Sequence, residues 1–177
     1  MREAPVLKRL QYSVTSVFAT VNLGMQVNLR DVALQAKNAE YNPRRFPAVM
    51  IKVREPDKAT GMLYGSGKLS VVGCKSEEIA RQVARKIAKS IKGITGSNLL
   101  FKNFQVVNII AHSEINFEVS FEHFVSKYYK LGACYEPEIY SGLVQSFKNP
   151  KLTFILFKSG KINITGARSR EDIDATL

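Results

Sequence analysis

Few residues of this sequence could act as nucleophiles, metal ligands or acid–base groups, and none is spaced for that work. The two cysteines, Cys74 and Cys134, form no C-x-x-C pair, and His112 and His123 form no H-x-x-x-H pair, so spacing defines no zinc site. Isolated reduced thiols are the simpler reading. Gly65-Ser66-Gly67-Lys68 is superficially similar to a phosphate loop but lacks its spacing and the helix that must follow. No G-x-S-x-G elbow is present, and neither histidine has a carboxylate or thiol constellation around it. The expectation is a protein that is not an enzyme, with no metal, no cofactor and no small-molecule substrate.

A ring before a turn occurs twice instead. "MLYGSGKLSVVG" (Met62–Gly73) returns 93 residues later as "ILFKSGKINITG" (Ile155–Gly166), with Tyr64 and Phe157 at the same place. Alone, these rings, with Phe46 and Tyr140, would be ordinary core aromatics. Asn108 in "VVNII" is a polar residue amid apolar strand positions, and it asks for a partner.

The elements that must hold these residues are also repeated. "YNPRRFPAVMIKVREP" (Tyr41–Pro56) matches "YEPEIYSGLVQSFKNP" (Tyr135–Pro150), and "GCKSEEI" matches "GARSREDI". The period is too long for a solenoid unit. It predicts a duplicated half-domain with pseudo-twofold symmetry, residues 1–97 with a short N-terminal segment and residues 98–177. In the first half, "SVTSVFATVNLG", "AVMIKVRE", "GMLYGS" and "GKLSVVGC" read as strands. "LRDVALQAKNA" reads as a short helix capped by Asn28. "SEEIARQVARKIAKSIKGI" reads as a long helix capped by Ser76, with Glu77 and Glu78 in its first turn and Gly93 past its end. Its apolar stripe is Ile79, Val83, Ile87 and Ile91, and Arg81, Arg85, Lys86, Lys89 and Lys92 lie mostly off it. The matching second-half helix starts at Ser169 and stops at Leu177, so it is expected to be truncated and to leave apolar surface exposed. The sum is an α+β fold: one long antiparallel sheet with helices on one face. "AVMIKV" and "TFILF" read as strands buried on both sides. An apolar sheet face without helices marks a binding site.

Charge narrows the partner. The net charge is +11; residues 1–97 hold 17 basic and 7 acidic residues, a balance of +10, and residues 98–177 hold 9 and 8, a balance of +1. A basic chain favours nucleic acid or an anionic membrane surface, and the repeat argues against the membrane. No apolar run approaches the length of a membrane span, and the first residues lack the apolar centre of a signal peptide.

From about Val14 to Thr176 the chain resembles the TATA-box-binding protein family, as a divergent member or a paralogue. "ALQAKNAEYNPRRFPAV", "SGKLSVVGCKSEE", "YEPEIYSGL" and "SGKINITGA" carry the resemblance, each in its place in a two-repeat frame. The resemblance implies a pseudo-twofold saddle, a long curved antiparallel sheet with helices on its convex side. It implies a nuclear general transcription initiation factor that sits in the minor groove of double-stranded promoter DNA, wedges rings into base steps, bends the duplex and nucleates a preinitiation complex. This family is itself the type example of such wedging. The wedge pairs would be Phe46 with Tyr64 and Tyr140 with Phe157. Other minor-groove contacts would be Ser16, Phe18, Thr20, Lys52, Met62, Ser70 and Val72 in the first half, and Asn108, Ile110, Ile155, Asn163 and Thr165 in the second. Glu136 and Glu138 match the loop that docks transcription factor IIB. Arg81, Arg85, Lys86 and Lys89 match the surface offered to transcription factor IIA, polymerase-associated factors and repressors.

Tyr64 and Tyr140 stand where the family has phenylalanine, and four further positions depart from its pattern. Ser16 stands where an asparagine is usual, and Ser146 where a base is usual. Ser70 and Asn163 put hydrogen-bonding groups on a floor that is usually apolar. The minor groove distinguishes A·T from G·C mainly by the guanine amino donor, which Ser70 or Asn163 could accept. A weakened A·T bias is expected. The alternative is a paralogue acting mainly as a protein-interaction hub, with weak or altered DNA preference.

Overall fold

The computed structural model describes residues 10–177. They form two compact units, one of residues 14–109 and one of residues 110–177 with residues 10–13. The first unit holds most of β1 (Tyr12–Asn22), then α1 (Leu29–Gln35), β2 (Ala39–Glu40), β3 (Ala48–Val53), β4 (Ala59–Tyr64), β5 (Lys68–Cys74) and α2 (Glu77–Thr95). Strand β6 (Lys102–Glu114) contributes to both. The second unit continues with α3 (Phe121–Tyr128), a 3-10 turn at Tyr129–Leu131, β7 (Ala133–Cys134), β8 (Leu143–Lys148), β9 (Lys151–Leu156), β10 (Lys161–Ala167) and α4 (Arg170–Asp174). Strand neighbours run β2-β3-β4-β5-β1-β6 through the first unit and β6-β10-β9-β8-β7 through the second. The pairings within each unit are antiparallel. This is the expected α+β class, with the element order of one half repeated in the other.

Local chemistry explains where the helices start. Each is preceded by a residue whose side chain accepts from a backbone N–H of the first turn, as an N-cap must. Asn28 accepts from Arg30 at 3.1 Å and Ser76 from Ile79 at 3.2 Å. Ser120 accepts from His123 at 3.3 Å and Ser169 from Asp172 at 3.2 Å. Asp172 returns the bond to Ser169 N–H at 3.0 Å, closing a capping box. α2 does not end at Gly93, as the sequence suggested. It continues to Thr95, and Gly96 takes the left-handed conformation at φ 66 that terminates it. Gly93 does not take a left-handed φ, so nothing there stops the helix.

The core lies between the helices and one face of the strands. In α2, Val83, Ile87 and Ile91 are buried as the stripe predicted, together with Ala80, Ala84 and Ala88. In the first unit the cross-strand row beneath the helix is Ile51–Gly61–Val71. A Cβ on Gly61 would meet Ile87 Cδ1, the end of that side chain, so an added methyl would make Ile87 shift. The same row in the second unit is Gln145–Phe154–Ile164. Phe154 meets Phe147 edge-on with centroids 5.1 Å apart, and Gln145 Nε2 donates to the Leu131 carbonyl at 2.8 Å. Leu143, Leu152 and Ile164 beneath are buried. Phe147 and Phe154 are themselves only half-buried, and Tyr129 and Leu131 are exposed, so apolar surface remains open over this half.

The opposite face of each unit carries no helix of its own. The apolar strands are not buried on both sides as their composition suggested. In β3, Met50 is half-buried and Lys52 exposed; in β9, Thr153 and Ile155 are half-buried. Alternation along each strand puts these residues on the helix-free face.

Candidate nucleic-acid interface

Two hairpins and two turns set the rings. In the first hairpin Gly67 N–H donates to the Tyr64 carbonyl, and in the second Gly160 N–H donates to the Phe157 carbonyl, both at 2.9 Å. Both glycines have φ 83. A side chain there would be strained, and its Cβ would strike the Met25 carbonyl oxygen in one case and the Ile115 carbonyl oxygen in the other. The partner rings stand at the ends of matching turns. Phe46 N–H donates to the Asn42 carbonyl at 2.9 Å, and Tyr140 N–H to the Glu136 carbonyl at 2.8 Å.

The outcome is one ring pair per unit in almost identical geometry. Phe46 and Tyr64 have centroids 6.1 Å apart at 61°, and Tyr140 and Phe157 have centroids 6.1 Å apart at 65°. Such edge-to-face contacts are favourable but modest. None of the four is a core residue: Tyr140 is 44% exposed and the other three are half-buried.

Most of the other positions that the resemblance names fall into cross-strand rows on the helix-free face. In the first unit one row runs Met50–Met62–Ser70–Thr20. A neighbouring row holds Lys52, Thr60 and Val72. In the second unit the corresponding rows are Val144–Ile155–Asn163 and Ser146–Thr153–Thr165. Phe18, Met62, Val72, Asn108, Ile110, Ile155, Asn163 and Thr165 are half-buried and available from that face. Ser70 and Thr20 are only 3% and 6% exposed. The hydroxyl that the sequence offered to guanine at Ser70 is covered. Ser16 is also engaged: its Oγ accepts the Gly73 N–H at 3.2 Å, where the β1–β5 register shifts. Lys52 pairs with Glu40 at 3.6 Å, both largely exposed, a contact worth little to stability.

The candidate partner-binding residues are less uniform than their sequence pattern. Arg81 lies over the Phe104 ring at 4.1 Å and pairs with Glu77 at 3.2 Å. Arg85 lies over Phe101 at 5.5 Å, and Lys86 Nζ donates to the Glu55 carbonyl at 3.1 Å. Lys89 is exposed. Glu136 and Glu138 are exposed, and the Cys134 thiol donates to Glu136 Oε1 at 3.6 Å.

Sequence reasoning missed one candidate residue. His112, weighed only as a catalytic or metal group, stands in β6 at the repeat position of Thr20. It is exposed and lines a cavity of about 780 Å³ with Asn163, Phe157, Lys161, Ser159 and Glu114. Aligning the two halves would have found it. Among the described residues no cluster of three His, Cys, Asp or Glu could hold a metal. No helix there is long and apolar enough to cross a membrane.

Residues 11–94 and 103–177 each match the family model of "Transcription factor TFIID (or TATA-binding protein, TBP)". The TATA-box-binding protein of Emericella nidulans is 40% identical over 161 residues, which cover 91% of this chain and 59% of that protein. TATA-box-binding protein 1 of Triticum aestivum is 41% identical over 164 residues, 92% of this chain and 68% of that one. The chain thus spans less than two thirds of the Emericella nidulans relative. The solved structure of Methanococcus jannaschii TBP superposes with a TM-score of 0.81 at 30% identity, covering 94% of both chains.

Proposed function

The chain belongs to the TATA-binding protein family, a family of transcription factors rather than enzymes, and from that premise we propose that it binds double-stranded promoter DNA through its helix-free sheet face. The observation that carries the reading is the pair of matched ring pairs, one per unit, half-exposed on hairpins and turns that repeat. A minor-groove binder inserts apolar rings between base steps and bends the duplex towards the major groove. Phe46 with Tyr64 and Tyr140 with Phe157 are the wedges. Phe18, Met62, Val72, Asn108, Ile110, Ile155, Asn163 and Thr165 line the groove floor. Lys52 and the basic excess of the first half contact phosphates. The bent complex then recruits transcription factor IIB through Glu136 and Glu138, and factor IIA and polymerase-associated factors through the α2 face around Lys89, in the nucleus.

A mobility-shift and bending assay on a TATA duplex tests this. Binding with a bend is expected. Binding without a bend would remove the wedge mechanism. A second reading, a protein-interaction hub with weak DNA binding, draws on Ser16 and Ser70, whose hydroxyls are engaged or covered. Absence of any duplex binding, with retained binding of the factors, would favour it.

A further inference from the structure

The two repeats offer different chemistry to a groove floor. In the first unit the polar members of the row, Ser70 and Thr20, are buried. In the second unit the same repeat positions are Asn163 and His112, and both line the open cavity beside the Phe157 ring. Ile155 is the cross-strand partner of Asn163, and Ile162 and Ile164 on either side of it are buried beneath, so strand alternation holds Asn163 on the helix-free face.

On the reading of this face as the duplex-binding surface, we propose that Asn163 with His112 forms a reading site for a G·C pair, confined to the half of the duplex that the second repeat reads. Minor-groove A·T pairs present acceptors alone, whereas G·C adds the guanine 2-amino donor. An apolar floor residue leaves that donor buried without a partner and so excludes G·C. Asn163 carries both an amide oxygen and an amide NH₂, so it can accept from guanine or donate to adenine N3 and thymine O2. The His112 imidazole adds its ring nitrogens to the same wall. Such a site tolerates G·C without losing A·T. The first repeat, with its hydroxyls covered, keeps the A·T requirement. The result is a polarity: a single G·C pair is accepted at one end of the site and rejected at the other, which gives a pseudo-symmetric protein a way to read direction.

The test measures the affinity of the full chain for an all-A·T box, for a box with one G·C pair in one half and for a box with one in each half, and reads its orientation on the duplex by directed cleavage from Cys134. The unaltered chain is expected to lose less than about threefold on the single-G·C box, with its second repeat on the G·C half, and about tenfold or more when both halves carry G·C. Asn163→Val is expected to raise the single-G·C penalty to about tenfold and to lose the preferred orientation; inosine, which lacks the 2-amino group of guanine, is expected to remove that new penalty. Asn163→Ser, which keeps an acceptor, is expected to restore part of the tolerance. Readouts are ratios between duplexes, so a general loss of affinity does not mimic them. No preferred orientation on the single-G·C box, a double-G·C penalty no larger than the single one, or an Asn163→Val penalty that inosine does not relieve, would overturn the proposal. Failure to bind even the all-A·T box would overturn the duplex-binding reading itself, and this proposal with it.

Discussion

A half-exposed ring holds its own sheet weakly and gains most from whatever covers it. Phe157→Ala and Tyr64→Ala are therefore expected to change thermal stability little. They should weaken duplex binding by the value of burying one ring, about 1.5–3 kcal/mol, or roughly tenfold to 150-fold, with the bend lost at that end. Titrations and melting curves of the same variants check both halves of that statement. The two thiols should separate in the same residue-by-residue way. Cys74 is fully buried, and burial first, then the Asp57 charge, push its thiol up from an ordinary 9.0 to about 11. A group whose pKa is raised by folding stabilises below its unfolded value, so Cys74 favours the folded state below about pH 9 and ceases to as pH rises through about 11. A thiol reagent at neutral pH should label exposed Cys134 in the native protein and Cys74 only on unfolding. The repeat places the rings twice in the sequence, but by itself it left them ordinary core aromatics; only the family resemblance gave them a binding role. The burial of Ser70 and Thr20 could not be read from sequence, because the neighbours that cover a hydroxyl come from other strands.

Helix α2 is held by its cap, its stripe and the glycine under it, and these differ in weight. Ser76→Ala removes one N-terminal hydrogen bond and is expected to cost about 0.5–2 kcal/mol. Ile87→Ala opens a space over Gly61 and is expected to cost about 2–5 kcal/mol. Gly61→Ala should be comparable in sign, since its methyl meets Ile87, and Gly61→Ala with Ile87→Val should recover part of the loss. Chemical denaturation of the four variants decides the order. The caps at Asn28 and Ser76 were legible because capping is local chemistry within a few residues. The end of α2 was not, since a glycine is a stop only where the chain turns left-handed, and Gly93 does not. The two-residue strands β2 and β7 were invisible for a related reason. So short a strand exists only through its partners, Ile51 with Met50 and Gln145 with Val144.

At the scale of the whole molecule the charge is divided more sharply than the fold. The first 97 residues carry +10 and the remainder +1, so the salt dependence of duplex binding should come mainly from the first half. Lys52→Gln is expected to lower the slope of log K against log salt by about 1. Ser146→Lys, which supplies the base missing at the matching position, is expected to raise it by about the same amount. Binding isotherms at four salt concentrations measure both. The duplication was plain in the sequence; what the two copies have become was not. Where one half has only a hydrogen at Gly61 and a helix pressed on it, the other has the Phe154 ring. A segment of β9 grafted into β4 would set the Phe154 ring against the Ile87 side chain, so the two copies can trade pieces only if strand and helix are exchanged together.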